Sequence, residues 1–174
     1  FEQGLKFFDE AEKLVLEQKE IRTLIDIYIS KGVILHRLKR DTENLHYIRS
    51  VKRLLREVSY CEGFYEHILS LNDLMQDKRK YNAYIKILYS TLKNIDKSKN
   101  RLYYARLLVL YGIGLMMSKK LGGSIDILKD AASIFEELGE YRYLPQVYNA
   151  IGTCYIDLFN DYTKSKEFFD KGLS

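Results

Sequence analysis

Asn149-Ala150-Ile151-Gly152-Thr153-Cys154-Tyr155-Ile156-Asp157-Leu158, followed after Phe159 and Asn160 by Asp161-Tyr162-Thr163-Lys164-Ser165-Lys166-Glu167-Phe168-Phe169-Asp170-Lys171-Gly172-Leu173, is the stretch that decides the fold. Apolar residues recur at helical spacing on both sides of a polar turn, so the stretch predicts two amphipathic helices joined by a short connection. Gly152 stands inside the first helix, where glycine costs roughly 1 kcal/mol against alanine. A glycine kept in such a place implies that a second helix approaches closely there.

Working outward, the same phase recurs. Gly32, Asn72, Gly112 and Gly152 are each 40 residues apart, with Tyr28, Ile68, Leu108 and Tyr148 four residues before them and Leu35, Met75, Leu115 and Tyr155 three after. The helices after the turns repeat as well. Gly4, Asn44, Tyr84, Ser124 and Ser165 open them, at gaps of 40, 40, 40 and 41, and the last gap contains Phe159 as an inserted residue. Phe8, Ile48, Leu88, Leu128 and Phe169 follow four residues on, and Ala11, Val51, Thr91, Ala131 and Gly172 three later. These positions share one helical face, where bulky and small residues alternate as close helix packing requires. The pattern predicts alternating helices, B over 4–18, 43–58, 81–96, 123–138 and 163–173, and A over 21–38, 61–77, 101–118 and 141–158. Pro145 falls in a first turn, where proline is tolerated, and Leu138-Gly139 ends a helix. Two positions depart from the pattern: Lys31 stands where an apolar residue is expected, and Asn72 where glycine is expected.

Ile151-Gly152, Tyr155, Ser165, Phe169 and Gly172 make this stretch resemble a unit of the tetratricopeptide-repeat (TPR) family. That family favours a leucine-glycine pair, a tyrosine three residues later, and small and aromatic residues in the second helix. The resemblance extends over the whole chain in period and is most specific in the last two units. The period here is about 40 residues where the common unit is about 34. It is similar to the long repeats of bacterial regulators that sense peptides or sugars and of some eukaryotic scaffolds. The fold class implied is all-α, a right-handed superhelix of antiparallel helix pairs (a TPR-like α-solenoid). Residues 1–174 would form a single repeat domain of about four and a half helix pairs. The first helix lacks its own A partner and the chain opens on Phe1, so a fragment of a longer chain is expected.

In TPR arrays the A helices line the concave face. By that resemblance, Ile29, Val33, His36, Leu69, Asp73, Arg106, Val109, Ile113, Met116, Asn149 and Thr153 are the expected partner-binding residues. Asp26, Glu66, Gln76, Gln146 and Ile156 take further inward positions by the same resemblance. An apolar strip with a few polar groups suits an extended or helical peptide, with apolar pockets for affinity and polar groups for register. The expected function is a protein- or peptide-binding scaffold, a regulatory or sensory segment of a larger signalling or transcription-regulating protein. A structural module that pairs with a second copy, as in a homodimer, is the second reading, and a nucleic-acid-binding repeat the third. Grip on a C-terminal carboxylate is not expected, because only Arg106 and Asn149 offer suitable groups at inward positions.

Composition bounds these readings. Hydrophobic residues at 47% and charged residues at 30%, with one proline and ten glycines, favour a globular helical chain over a disordered one. The net charge of +4 is too mild to imply nucleic acid. It is unevenly spread: residues 31–58 hold eight basic and three acidic groups, and residues 121–140 one basic and five acidic. Arg49, Lys52, Arg53 and Arg56 form one basic helix face, read first as solvated because no aromatic–basic nucleic-acid motif accompanies it. His36, His46 and His67 lack metal-ligand spacing and are read as surface or rim residues. Cys154 sits among apolar residues and reads as buried. The distant pair Cys61 and Cys154 fits a reducing compartment, and the longest apolar run falls well short of the roughly 20 residues that span a bilayer. A cytoplasmic location without membrane insertion is expected. No convergent set for acid–base catalysis stands out. No catalytic residue, cofactor or metal is therefore expected in this segment, whatever catalytic domain a parent chain carries. The fifteen tyrosines are read as helix-packing residues with ring buried and hydroxyl satisfied.

Overall fold

The structure, a computed structural model, describes residues 1–55, 62–71, 80–118 and 123–173. Among these residues lie nine α-helices and no strand: α1 Glu2–Gln18, α2 Ile21–Arg37, α3 Asp41–Leu54, α4 Glu62–Ser70, α5 Tyr81–Asn94, α6 Arg101–Met117, α7 Ser124–Leu138, α8 Leu144–Phe159 and α9 Tyr162–Leu173. The expected A and B helices are all present, with most described ends within two residues of the periodic reading. One start differs. The helix expected from residue 141 begins at Leu144, after a 3-10 turn at Tyr141–Tyr143, with Pro145 in its first turn. Proline has no amide to offer the ladder and its fixed φ suits a helix start. The far ends of the helices expected over 43–58 and 61–77, with Asn72, Met75 and Gln76, fall outside the described residues.

The chain divides into two compact units, Phe1–Leu71 and Asn72–Ser174. In the first, α1 packs on α2, and α2 on both α3 and α4. The pairing is antiparallel, since Lys31 meets Asp9 while Tyr28 meets Glu12, and Tyr28 meets Tyr47 while Gly32 meets Asn44. Ile25, Leu35, Ile48, Val51 and Ile68 are sealed from solvent. Lys31, the apparent misfit of the repeat, is only 1% exposed. Its ammonium sits 2.6 Å from Asp9 Oδ1, bonds Glu12, and stands over the Tyr47 ring at 5.2 Å. Tyr28 donates its hydroxyl to Glu12 Oε1 at 2.9 Å. Burial works against the charge of Lys31, but the two hydrogen-bonded carboxylates outweigh it and hold its pKa above the usual lysine range. Asp9 and Glu12 thus replace, from the neighbouring helix, the apolar contact that the period predicts.

In the second unit α5, α6, α7, α8 and α9 pack in sequence, each on the next, and α6 also meets α8. The recurrent glycines mark the close approaches. A Cβ on Gly112 would lie 2.8 Å from Leu128 Cγ, and one on Gly152 2.7 Å from the Phe169 ring. Those partners are the bulky positions of the following B helices, so the register read from the period is the packing register. Helix ends obey local chemistry. Gly139 closes α7 at φ 69, and Asn160 closes α8 at φ 50, both left-handed. The Lys164 amide donates to Asp161 Oδ1 at 2.9 Å, capping the first turn of α9.

Candidate functional site

The predicted binding residues are described unit by unit. In the first unit Ile29, Val33 and His36 lie half-buried along α2, and Leu69, on the neighbouring α4, is 9% exposed. Asp73 lies outside the described residues. His36 Nδ1 is 2.9 Å from Asp41 Oδ1, so its imidazole is held by the start of α3. In the second unit Arg106, Ile113 and Met116 are half-buried on α6, with Val109 between them at only 4% exposure. The Arg106 guanidinium lies over the rings of Tyr103 and Tyr143, at 5.6 and 5.7 Å, and Tyr143 in turn stacks on Phe135 at 4.9 Å. That arrangement fixes a cation against an aromatic shelf. On α8, Asn149 is exposed and borders α9, its Oδ1 3.3 Å from where a Cβ on Gly172 would stand. Thr153 donates its hydroxyl to the Asn149 carbonyl at 2.9 Å.

The A-helix strips are therefore graded. Val109 and Leu69 are packed into the units and form walls, whereas Ile113, Met116, Ile29 and Val33 keep part of their apolar surface open. Within the second unit, Ile113 and Met116 leave apolar surface against which an apolar side chain of a partner can be buried, with Arg106 on the same helix and Asn149 on α8 as polar groups. Among the described residues, no group of three or more His, Cys, Asp and Glu stands where it could hold a metal ion. No helix among them is long and apolar enough to cross a membrane.

One reading of the histidines is overturned. His67, taken as a rim residue, is 4% exposed, enclosed by α2, α3 and its own α4. Its Nε2 stands 2.8 Å from the point a Cβ on Gly32 would occupy, so the glycine makes the room. The Nε2–H donates to Asn44 Oδ1 at 2.9 Å, while His67 Nδ1 and Asn44 Nδ2 are buried without partners among the described residues. Burial, with the nearby His36 adding to it, lowers the His67 pKa to about 4. A sequence signal existed. The equivalents of His67 at the 40-residue period, Ile27, Leu107 and Val147, are apolar, and all three are buried. Cys154 is buried as expected, 3.5 Å from Ser124 Oγ, and burial pushes its thiol pKa up. Cys61 and Arg56 lie outside the described residues. Tyr28 and Tyr148, two tyrosines at packing phases, find carboxylates as hydroxyl partners. Tyr148 donates to Glu136 at 2.6 Å, and burial together with that bond raises its pKa to about 12. Tyr155 stacks on Phe168 at 5.5 Å.

No protein-family model matches the sequence, and no curated protein matches it. Solved structures do. MamA 41-end from Desulfovibrio magneticus RS-1 superposes with a TM-score of 0.61 at 13% identity, over 98% of this chain and 93% of that one. The MamA RS-1 ArsTM double mutant superposes equally, with a TM-score of 0.61 at 14% identity over the same shares. At such identity the likeness speaks to the fold, and together with the helix pairs and their glycine contacts it makes this chain an all-α, TPR-like α-solenoid.

Proposed function

We propose that the chain is a protein- or peptide-binding scaffold, the regulatory or sensory segment of a larger signalling or transcription-regulating protein working in the cytoplasm. The long repeat of about 40 residues fits such a regulator by resemblance. The observation that carries the reading is on α6. Ile113 and Met116 stay half open on the same helix as Arg106, which stands on its aromatic shelf, whereas Leu107, Leu108 and Val109 are packed away. Apolar surface edged by an oriented cation is what a peptide-binding face needs, the first for affinity and the second for register. Asn149 and Thr153 on α8 extend it, and Ile29, Val33 and His36 on α2 supply a corresponding strip in the first unit.

The test is a comparison of the wild-type chain with Ile113→Asp/Met116→Asp. Val109 and Leu69 are avoided because both are buried and their substitution would damage the fold. Partners captured from native cell extract are identified, purified and titrated by calorimetry. A partner of the A-helix face loses at least about tenfold in affinity with the variant, as for a buried interface anchor, while far-ultraviolet dichroism and melting stay unchanged. Equal affinity for both chains would remove α6 from the binding surface. Self-association is a second reading, favoured by the exposed Phe7 and Leu14, seven residues apart on α1, and by the exposed Phe159 and Leu173.

A further inference from the structure

The most basic described stretch of the chain runs from Lys80 through α5 and α6. Residues 80–118 carry seven basic groups and one acidic group, a net of +6 in a chain whose total is +4. Most of these cations are engaged. Lys97 stands over the Tyr104 ring at 4.7 Å, Lys99 pairs with Asp96 at 3.8 Å, Arg101 pairs with Glu137, and Arg106 lies on its tyrosines. Lys86 and Lys93 differ. Both are exposed on α5, a helix with no Asp or Glu, and among the described residues neither forms an ion pair. Between them stands Tyr89, 55% exposed, its ring 5.9 Å from that of Tyr111 on α6. Lys86, Tyr89 and Lys93 fall at i, i+3 and i+7, which is one helical face. The two ammonium stems are therefore separated by two turns, roughly 10 Å along the axis, with an aromatic platform between them.

We propose that this face of α5 is a second protein-docking surface, one that takes an acidic amphipathic helix. Charge complementarity selects the partner. A helix with carboxylates two turns apart and an apolar side chain between them would satisfy Lys86 and Lys93 together and cover the Tyr89–Tyr111 pair. A large exposed tyrosine ring is itself a common anchor for protein contacts. A nucleic-acid strand fits less well, since typical phosphate binders engage roughly six to ten phosphates and only two uncommitted lysines stand here. The surface is on a B helix, so it is separate from the strip of Ile113 and Met116, and either can fail without the other.

The test uses the full chain and a labelled synthetic helical peptide with Glu at i and i+7 and Leu at i+3 and i+4, followed by fluorescence polarisation. Its comparison probes are the same peptide with Gln for Glu and a single-stranded oligouridylate. The Glu peptide should bind, more weakly as salt rises, and the Gln peptide at least about tenfold less tightly. Lys86→Glu/Lys93→Glu should lose at least about tenfold in affinity for the Glu peptide through repulsion, Tyr89→Ala should weaken it too, and Lys86→Arg/Lys93→Arg should retain it. The proposal is overturned if the Glu peptide does not bind, if the charge-reversed chain or the Gln peptide binds equally well, or if oligouridylate binds more tightly.

Discussion

His67 is held where water does not reach, and its environment fixes which form it takes. With Nε2–H donating to Asn44 and Nδ1 meeting no acceptor among the described residues, a second ring proton would be left unpaired and the neutral ring is the stable one. Its pKa in the folded chain is lowered to about 4, against about 6.5 for an unfolded histidine. Between those values the unfolded chain binds the proton and the folded chain does not, so stability rises with pH across that window. The contribution is therefore complete above about pH 6.5 and declines as pH falls towards 4, by about 3 kcal/mol in total, levelling off below. Urea midpoints measured from pH 7 to pH 4 check this: the wild-type chain should lose stability across the window more steeply than His67→Gln. Parallel curves would mean that another group titrates. Lys31 teaches the complementary point. The period marked it as out of place, and the residues that rescue it, Asp9 and Glu12, lie one turn apart on a single face of α1. That spacing was visible in the sequence, but that the two carboxylates reach the ammonium of Lys31 was not.

At the scale of the helix, the glycine phase was the most informative signal. Gly112 and Gly152 are tolerated in helix interiors because Leu128 and Phe169 occupy the space a Cβ would need. Gly112→Ala should therefore destabilise the chain by up to about 2 kcal/mol, since overpacking against the fully buried Leu128 costs about 1–3 kcal/mol against a gain of roughly 1 kcal/mol in helix propensity. Arg53→Ala, on the exposed face of α3, should change stability by less than about 0.5 kcal/mol. Chemical denaturation of both variants distinguishes the two sites, and a stabilised Gly112→Ala chain would refute the close approach. Helix starts were less legible than helix faces. The winding of Tyr141–Tyr143 into a 3-10 turn reflects a local contest in which Phe135 captures Tyr143 by stacking and Pro145 sets the first α-turn.

At the scale of the whole molecule, the self-association reading rests on exposed apolar side chains. Phe7 and Leu14 on α1 and Leu173 on α9 are open to solvent, and single exposed residues of this kind are ordinary, whereas two on one face favour association. Self-association predicts a sedimentation-velocity mass that rises with protein concentration and a Phe7→Ser/Leu14→Ser chain that stays monomeric over the same range. A mass independent of concentration would dismiss that reading.

Periodicity alone determined the helical class, the alternation of A and B helices, and the faces that pack, because a 3.6-residue helix carries its burial pattern in its own sequence. The small–large complement of glycine against leucine or phenylalanine was equally readable, since steric fit between neighbouring helices leaves a mark at both positions. Only the tertiary structure decided how far each predicted binding residue is open, with Val109 and Leu69 packed away and Ile113 and Met116 not. It alone placed His67 under cover against Gly32, engaged Lys97, Lys99 and Arg101, and left Lys86 and Lys93 on an open face. Burial and ion pairing at a given residue depend on what other helices bring to it, and that information is distributed over residues far apart in the chain.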